Sequence, residues 1–199
     1  MTSPGVLFLF TVLFAIARTG SPIQCEVSHS IKTLSKRSTY LKTCDPEFDA
    51  CRVLVIEATR SGKTVRTVKK SCTKREICVP GPVFMHLDNG LRETGYSTCC
   101  FTDGCNSKVP ALPTWNETPN GFWCPSCSVK HPEPCKREII RCKGSTNKCF
   151  FRVIGPIIHM GCATESFCTN SVQTGITITD SLGVLLSSQH VECVPAHRG

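Results

Sequence analysis

No apolar run in this chain is long enough to cross a bilayer as a helix. The longest, Val6–Ala17 ("VLFLFTVLFAIA"), has 12 residues, whereas a spanning helix needs about 20. The chain also lacks the short patterns that carry enzyme chemistry: no nucleophile elbow, no HExxH, no Gly-rich phosphate loop. Its serines, histidines and carboxylates stand at no telling spacing, so no catalytic residue is expected and the chain does not read as an enzyme. The histidines (His29, His86, His131, His159, His190 and His197) are scattered, without the Cys/His alternation of a zinc site. No metal and no cofactor are expected. A convincing amphipathic helix is missing as well.

What is there begins with that 12-residue run, which has the length of a secretory h-region and places a signal peptide at residues 1–20. The closing stretch "QHVECVPAHRG" is polar and offers no hydrophobic tail for a lipid anchor,. A secreted, extracellular product without a membrane anchor is the expectation. All 16 cysteines follow the signal, in a compartment where thiols pair, so they imply a disulfide framework before they imply metal.

The cysteines fall in two groups of eight around the cysteine-free stretch "SKVPALPTWNETPNG", whose Pro110, Pro113 and Pro119 mark an extended linker,. Spacings recur on either side. Cys44–Cys51 and Cys142–Cys149 each enclose six residues, and Cys72–Cys78 and Cys162–Cys168 each enclose five. This predicts a duplicated unit: one domain over residues 21–106, a Pro-rich linker over 107–121 and a second domain over 122–199. Between the cysteines lie short Val-, Ile-, Thr- and aromatic-rich runs broken by Gly, Pro or Asn, the pattern of an all-β protein,. Small β units have thin cores, and each bridge offsets that by about 3–4 kcal/mol through restriction of the unfolded chain.

The stretch "WCPSC", Trp123–Cys127, has the look of a redox dithiol. A redox Cys needs a helix N-terminus to lower its pKa, however, and Pro132 and Pro134 forbid a regular helix after it,. At "CCFTDGCN", Cys99–Asn106, the chain resembles the lymphocyte-antigen-6/urokinase-receptor (LU) family, a three-fingered disulfide fold, and the resemblance covers essentially everything after the signal. It implies an all-β, disulfide-rich pair of tandem three-finger domains. In the first it implies the pairs Cys25–Cys51, Cys44–Cys72, Cys78–Cys99 and Cys100–Cys105, with the family's second and third cysteines missing and Ser28 at one of those places. In the second it implies Cys124–Cys149, Cys127–Cys135, Cys142–Cys162 and Cys168–Cys193, with the terminal pair missing. Cys124 and Cys127 then bond distant partners and "WCPSC" is no redox site. No free thiol is expected. The resemblance also makes Asn106 structural, its amide pinning the end of the first domain to the central sheet. The second domain lacks both that Asn and its bridge, so its end is expected to be looser.

Two domains, a Pro-rich junction and "CATESFC" in the second repeat resemble the gamma-type phospholipase A2 inhibitors. That resemblance implies a secreted binding protein that occludes the membrane-facing surface of a secreted phospholipase A2. The alternative is an LU-type ligand or co-receptor acting at the cell surface or in the matrix. Within the inhibitor family the junction is the suspected contact, here Pro110, Leu112, Pro113 and Trp115 on a backbone stiffened by proline, which lowers the ordering cost of binding. A plain linker whose Leu and Trp pack between the domains is the competing reading. Asn116 opens a glycosylation sequon, although Pro119 just after it disfavours occupancy.

The net charge of +8 includes +4 over residues 25–105 and +3 over residues 121–199. Its steepest field lies in "GKTVRTVKKSCTKRE", with Lys69, Lys70 and Lys74 as candidate partner contacts. Such a patch suits an acidic phospholipase, a sulfated glycan, a cell-surface receptor or an anionic membrane, and equally an edge strand kept soluble by lysines. Nucleic acid is not an expected partner for a secreted chain, and a monomer is the expected state.

Overall fold

The structure, a computed structural model, describes residues 22–28, 39–174, 177–179 and 185–199, with no side-chain description for 171–189. The predicted signal and the central part of the first finger, with His29, lie outside the described residues. Thirteen strands and one α-helix occur among the described residues. The first repeat contains β1 (Gln24–Ser28), β2 (Thr39–Thr43), β3 (Ala50–Arg60), β4 (Lys63–Thr73), β5 (Gly81–His86) and β6 (Arg92–Cys100). The second contains β7 (Pro119–Lys130), β8 (Glu138–Lys143), β9 (Lys148–Ile154), β10 (Ile157–Ala163), α1 (Glu165–Thr174), β11 (Thr177–Thr179), β12 (Leu185–Pro195) and β13 (His197–Arg198).

The run "VLVI" is apolar without alternation because β3 is buried on both faces, from Ala50 to Ile56, with β4 and β6 hydrogen-bonded to its two edges,. Its hairpin to β4 turns on Ser61 and Gly62, whose φ values of 49° and 76° are what a two-residue turn between twisted strands requires,. The one guanidinium on this strand's buried stretch, Arg52, has Nε donating to Ser97 Oγ at 3.2 Å. Desolvation lowers its pKa to about 10.

Eight disulfides close the frame, and among the described residues no cysteine is free. In the first repeat Cys25 bonds Cys51, Cys44 bonds Cys72, Cys78 bonds Cys99 and Cys100 bonds Cys105. In the second, Cys124 bonds Cys149, Cys127 bonds Cys135, Cys142 bonds Cys162 and Cys168 bonds Cys193. Each repeat stacks two of its bridges into a small sulfur-rich core, Cys25–Cys51 beside Cys44–Cys72 and Cys124–Cys149 beside Cys142–Cys162.

The two repeats are not beads on a linker. β5 of the first pairs antiparallel with β10 of the second, Met85 opposite Ala163 and His86 opposite Cys162. One sheet of 11 strands therefore runs through both, with β1 and β2 apart as a separate pair. Its core is shared too: Leu54, Ile56, Val83, Met85, Leu87 and Leu91 pack with Phe150, Ala163, Phe167 and Cys168. Polar groups seal the seam. Thr164 N–H donates to Phe84 O at 3.0 Å, Phe84 N–H donates to Thr164 Oγ1 at 3.1 Å, and Arg152 Nη2 meets Glu93 Oε1 at 2.9 Å.

Two expectations are corrected. The chain does form a helix, α1, which begins within the "CATESFC" segment and runs to Thr174. Thr164 caps it, its Oγ1 accepting the Phe167 N–H at 3.2 Å, and Glu165 places a carboxylate in the first turn,. Its sequence, "ESFCTNSVQT", is mostly polar, and among the described side chains Phe167 and Cys168 enter the shared core. The end of the second repeat is also not loose. β13 pairs with β7, Gly199 N–H donates to Gly121 O at 3.0 Å, Ala196 N–H donates to Asn147 O at 3.0 Å, and His197 stacks on Trp123. Strand pairing takes the place of the missing bridge.

Candidate functional site

The junction runs from the first repeat's last 3-10 turn (Cys105–Ser107) to β7 with no regular secondary structure. Asn106 anchors its start. Buried to 2% exposure, its Oδ1 accepts the Glu26 N–H at 2.8 Å, and its Nδ2 donates to Glu26 O at 2.8 Å and to Arg52 O at 3.3 Å. One side chain thus ties the junction to both β1 and β3.

Trp115 is the second anchor. Its ring meets Phe84 edge-on at 5.5 Å between centroids and His86 edge-on at 5.3 Å, both on the strand that carries the seam. His86 is buried there, and desolvation, with the Lys143 charge nearby, lowers its pKa to about 4. Phe84, Trp115, Asn116, Lys143, Gly144 and Ser145 line an open depression of about 170 Å³. Glu117, close by along the chain, accepts from Arg92 of the first repeat at 3.1 Å and from Lys143 of the second at 2.7 Å. The Lys143 hydrogen bond is the main reason its carboxyl titrates below the ordinary value. Gly144 N–H donates to Thr118 O at 2.9 Å, adding a backbone tie. The junction is thus clamped at its start by Asn106 and at its end by Trp115 and Glu117.

Between the clamps lie the other predicted contacts. Val109 is 43% exposed, and Pro110, Leu112 and Pro113 are half-buried. Trp115, a partner contact in one reading of the junction and a residue packed between the domains in the other, sets its ring against Phe84 and His86. Asn116 is exposed at the rim of the depression, where its Oδ1 accepts the Thr118 N–H at 2.9 Å.

Several basic side chains of the second finger meet acidic partners from other segments. Lys70 is 6% exposed and donates to Glu26 Oε2 at 2.6 Å, so it is no steering charge. Lys74 lies 3.4 Å from Glu47, and Arg75 lies 3.7 Å from Asp49. Lys69 is half-buried, its pKa lowered by desolvation and by Arg52. Pairing partners contributed by distant segments were not visible in the local run of lysines. Sequence reasoning also missed Glu117, Arg92 and Lys143, whose meeting depends on how the repeats dock.

Comparison with known proteins gives two matching family models, "Phospholipase A2 inhibitor" over residues 23–107 and "u-PAR/Ly-6 domain" over residues 120–186. Phospholipase A2 inhibitor NAI of Notechis ater is 31% identical over 173 residues, covering 81% of this chain and 84% of the relative. Phospholipase A2 inhibitor PIP of Malayopython reticulatus is 26% identical over 139 residues, covering 69% and 67%. Phospholipase A2 inhibitor CNF of Crotalus durissus terrificus is 26% identical over 144 residues, covering 72% and 70%.

Proposed function

From the premise that the chain belongs to the phospholipase A2 inhibitor family, we propose that it is a secreted binding protein that inhibits a secreted phospholipase A2. It acts without chemistry of its own, by laying the apolar junction over the surface through which the enzyme's lipid substrate enters. The observation that carries this reading is the junction itself. Val109 is exposed, and Pro110, Leu112 and Pro113 are half-buried, on a segment clamped by Asn106, Trp115 and Glu117. A pre-ordered apolar segment loses little freedom on binding, so more of its buried area is realised as affinity. In this reading Trp115 holds the junction in shape, and Leu112 and Val109 make the contact.

The test is the affinity of a secreted phospholipase A2 for the native chain and for a Val109→Ala/Leu112→Ala variant, with hydrolysis of vesicles as a second readout. Loss of two central apolar anchors is expected to weaken binding by about 2–4 kcal/mol. Unchanged affinity in a variant that keeps its strand circular dichroism signal would show that the junction is only a connector. Failure of the native chain to bind any secreted phospholipase A2, with recovery of cell-surface proteins instead, would favour a ligand or co-receptor role.

A further inference from the structure

The ladder β13–β7–β8 turns one face inward and one outward. Phe122, Cys124, Ile140, Cys142 and Ala196 pack on the bridges of the second repeat. Side chains alternate along a strand, so the neighbouring positions point the other way. The register puts Trp123 opposite both Arg141 and His197, and Pro125 opposite Ile139, all on the outward face. The rings of Trp123 and His197 stack at 4.3 Å. Ile139 is 70% exposed, more than any other large hydrophobic side chain among the described residues.

No carboxylate stands among those five residues. Glu138, the acid of β8, falls on the opposite face, aligned with Ser126, whose hydroxyl donates to Asp88 Oδ1 at 2.8 Å. Arg137, just before β8, is exposed, as is Arg141, whereas Lys136 lines a depression with Asp88, Glu133 and Glu138. Neither arginine enters an ion pair among the described residues, whereas Lys70, Lys74 and Arg75 of the second finger all do. Unmatched positive charge therefore gathers beside the most exposed aliphatic side chain and an aromatic stack.

We propose that this face binds an anionic lipid surface peripherally. Ile139 enters the acyl boundary, Trp123 lies at headgroup depth, and Arg137 and Arg141 meet anionic headgroups. Each chemistry has its counterpart in a lipid interface: aliphatic carbon for the acyl region, an amphipathic ring for the boundary, cations for surface charge. A sulfated polysaccharide would use the cations and leave Ile139 in water. The proposal goes beyond the phospholipase reading and does not rest on it. The two are linked by β8, which carries Ile139 near one end and Lys143, bonded to Glu117 of the junction, at the other. Four residues of strand separate them by about 13 Å, so a lipid-bound chain would hold its junction close to the membrane.

Flotation of the full oxidised chain with vesicles tests this, using phosphatidylcholine alone and phosphatidylcholine with phosphatidylserine at about 30 mol %. Binding is expected only to the mixed vesicles and is expected to weaken as salt is raised. Arg137→Gln/Arg141→Gln should lower partitioning by tenfold or more, at about fivefold per cation. Ile139→Ser should lower it about fivefold with charge unchanged. An Arg60→Gln/Lys63→Gln control, removing equal charge from the tip of the β3–β4 hairpin, should partition like the native chain. All these positions are exposed, so the variants should fold. The proposal is overturned if the mixed vesicles fail to bind the native chain or if the control loses as much as the β8 variant. It is also overturned if Ile139→Ser binds vesicles normally while the arginine variant alone loses heparin and vesicles together, which would make the face a polyanion site.

Discussion

Arg152 and Glu93 bury opposite charges at 1% and 2% exposure, 2.9 Å apart, with the guanidinium also over the rings of Phe150 and Phe167. Such a pair is poor testimony to stability by itself, because desolvating both ions offsets their attraction. Removing either partner would leave the other charge unpaired in that core, at a large penalty. The histidines near it show the same economy of charge. His159, paired in register with Arg152, has its pKa lowered to about 3 by desolvation first and by the Arg152 and Arg60 charges after it, and His86 has its pKa lowered to about 4. Both are held neutral in the folded chain, while the unfolded chain takes up their protons below about pH 6.5. Stability is therefore complete above about pH 6.5. It is lost as pH falls through the window down to about 4 for His86 and about 3 for His159. Each contributes a slope of about 1.4 kcal/mol per pH unit. Urea unfolding at a series of pH values should show this slope, and His159→Gln should remove about half of it. An unchanged slope in that variant would mean that carboxylates, not the histidines, govern acid unfolding.

Among the elements, the β5–β10 pairing joins only two residue pairs yet carries the sheet from one repeat into the other. Gly161 lies against it so closely that a Cβ there would sit 2.3 Å from His86 O and 3.2 Å from Phe150 Cε1. The backbone oxygen cannot move aside without breaking the strand pairing. Gly161→Ala should cost about 2–3 kcal/mol as overpacking, measured as a lower urea midpoint, and a midpoint within error of the native value would show that the seam can yield. How much of this was legible beforehand follows from what is local. Cysteine spacing and β-branched runs are local, and they announced the strands and the repeat. Thr164 and Glu165 carried a helix-start signal, but the polar run after them gave no periodicity to support it. Glu93 with Arg152 and Phe84 with Thr164 are 59 and 80 positions apart, and nothing in either neighbourhood names the other. The junction was legible as apolar and stiff. The direction of Trp115 was not, because it is set by Phe84 and His86 on a strand well upstream in the chain.

For the whole molecule, covalent and noncovalent frames disagree about how many units there are. All eight bridges lie within one repeat or the other, four and four, and none crosses the junction. Cross-links of this kind restrict each unfolded half separately and would by themselves allow two independent transitions. The sheet and the core say otherwise. β5 and β10 continue one sheet, and the largest apolar cluster takes Met85 and Leu91 from one half and Phe150 and Phe167 from the other. Opening either repeat exposes the partner's share of that core and strands one charge of the Arg152–Glu93 pair, so the free energies of the two halves are coupled through the seam. Calorimetry of the oxidised chain should show a single transition with equal calorimetric and van't Hoff enthalpies. Residues 119–199 alone should expose Phe150 and Phe167 and bind a hydrophobic dye that the intact chain does not bind. Two resolved transitions in the intact chain, each matching that of its isolated half, would make the seam a contact of convenience and the repeats autonomous.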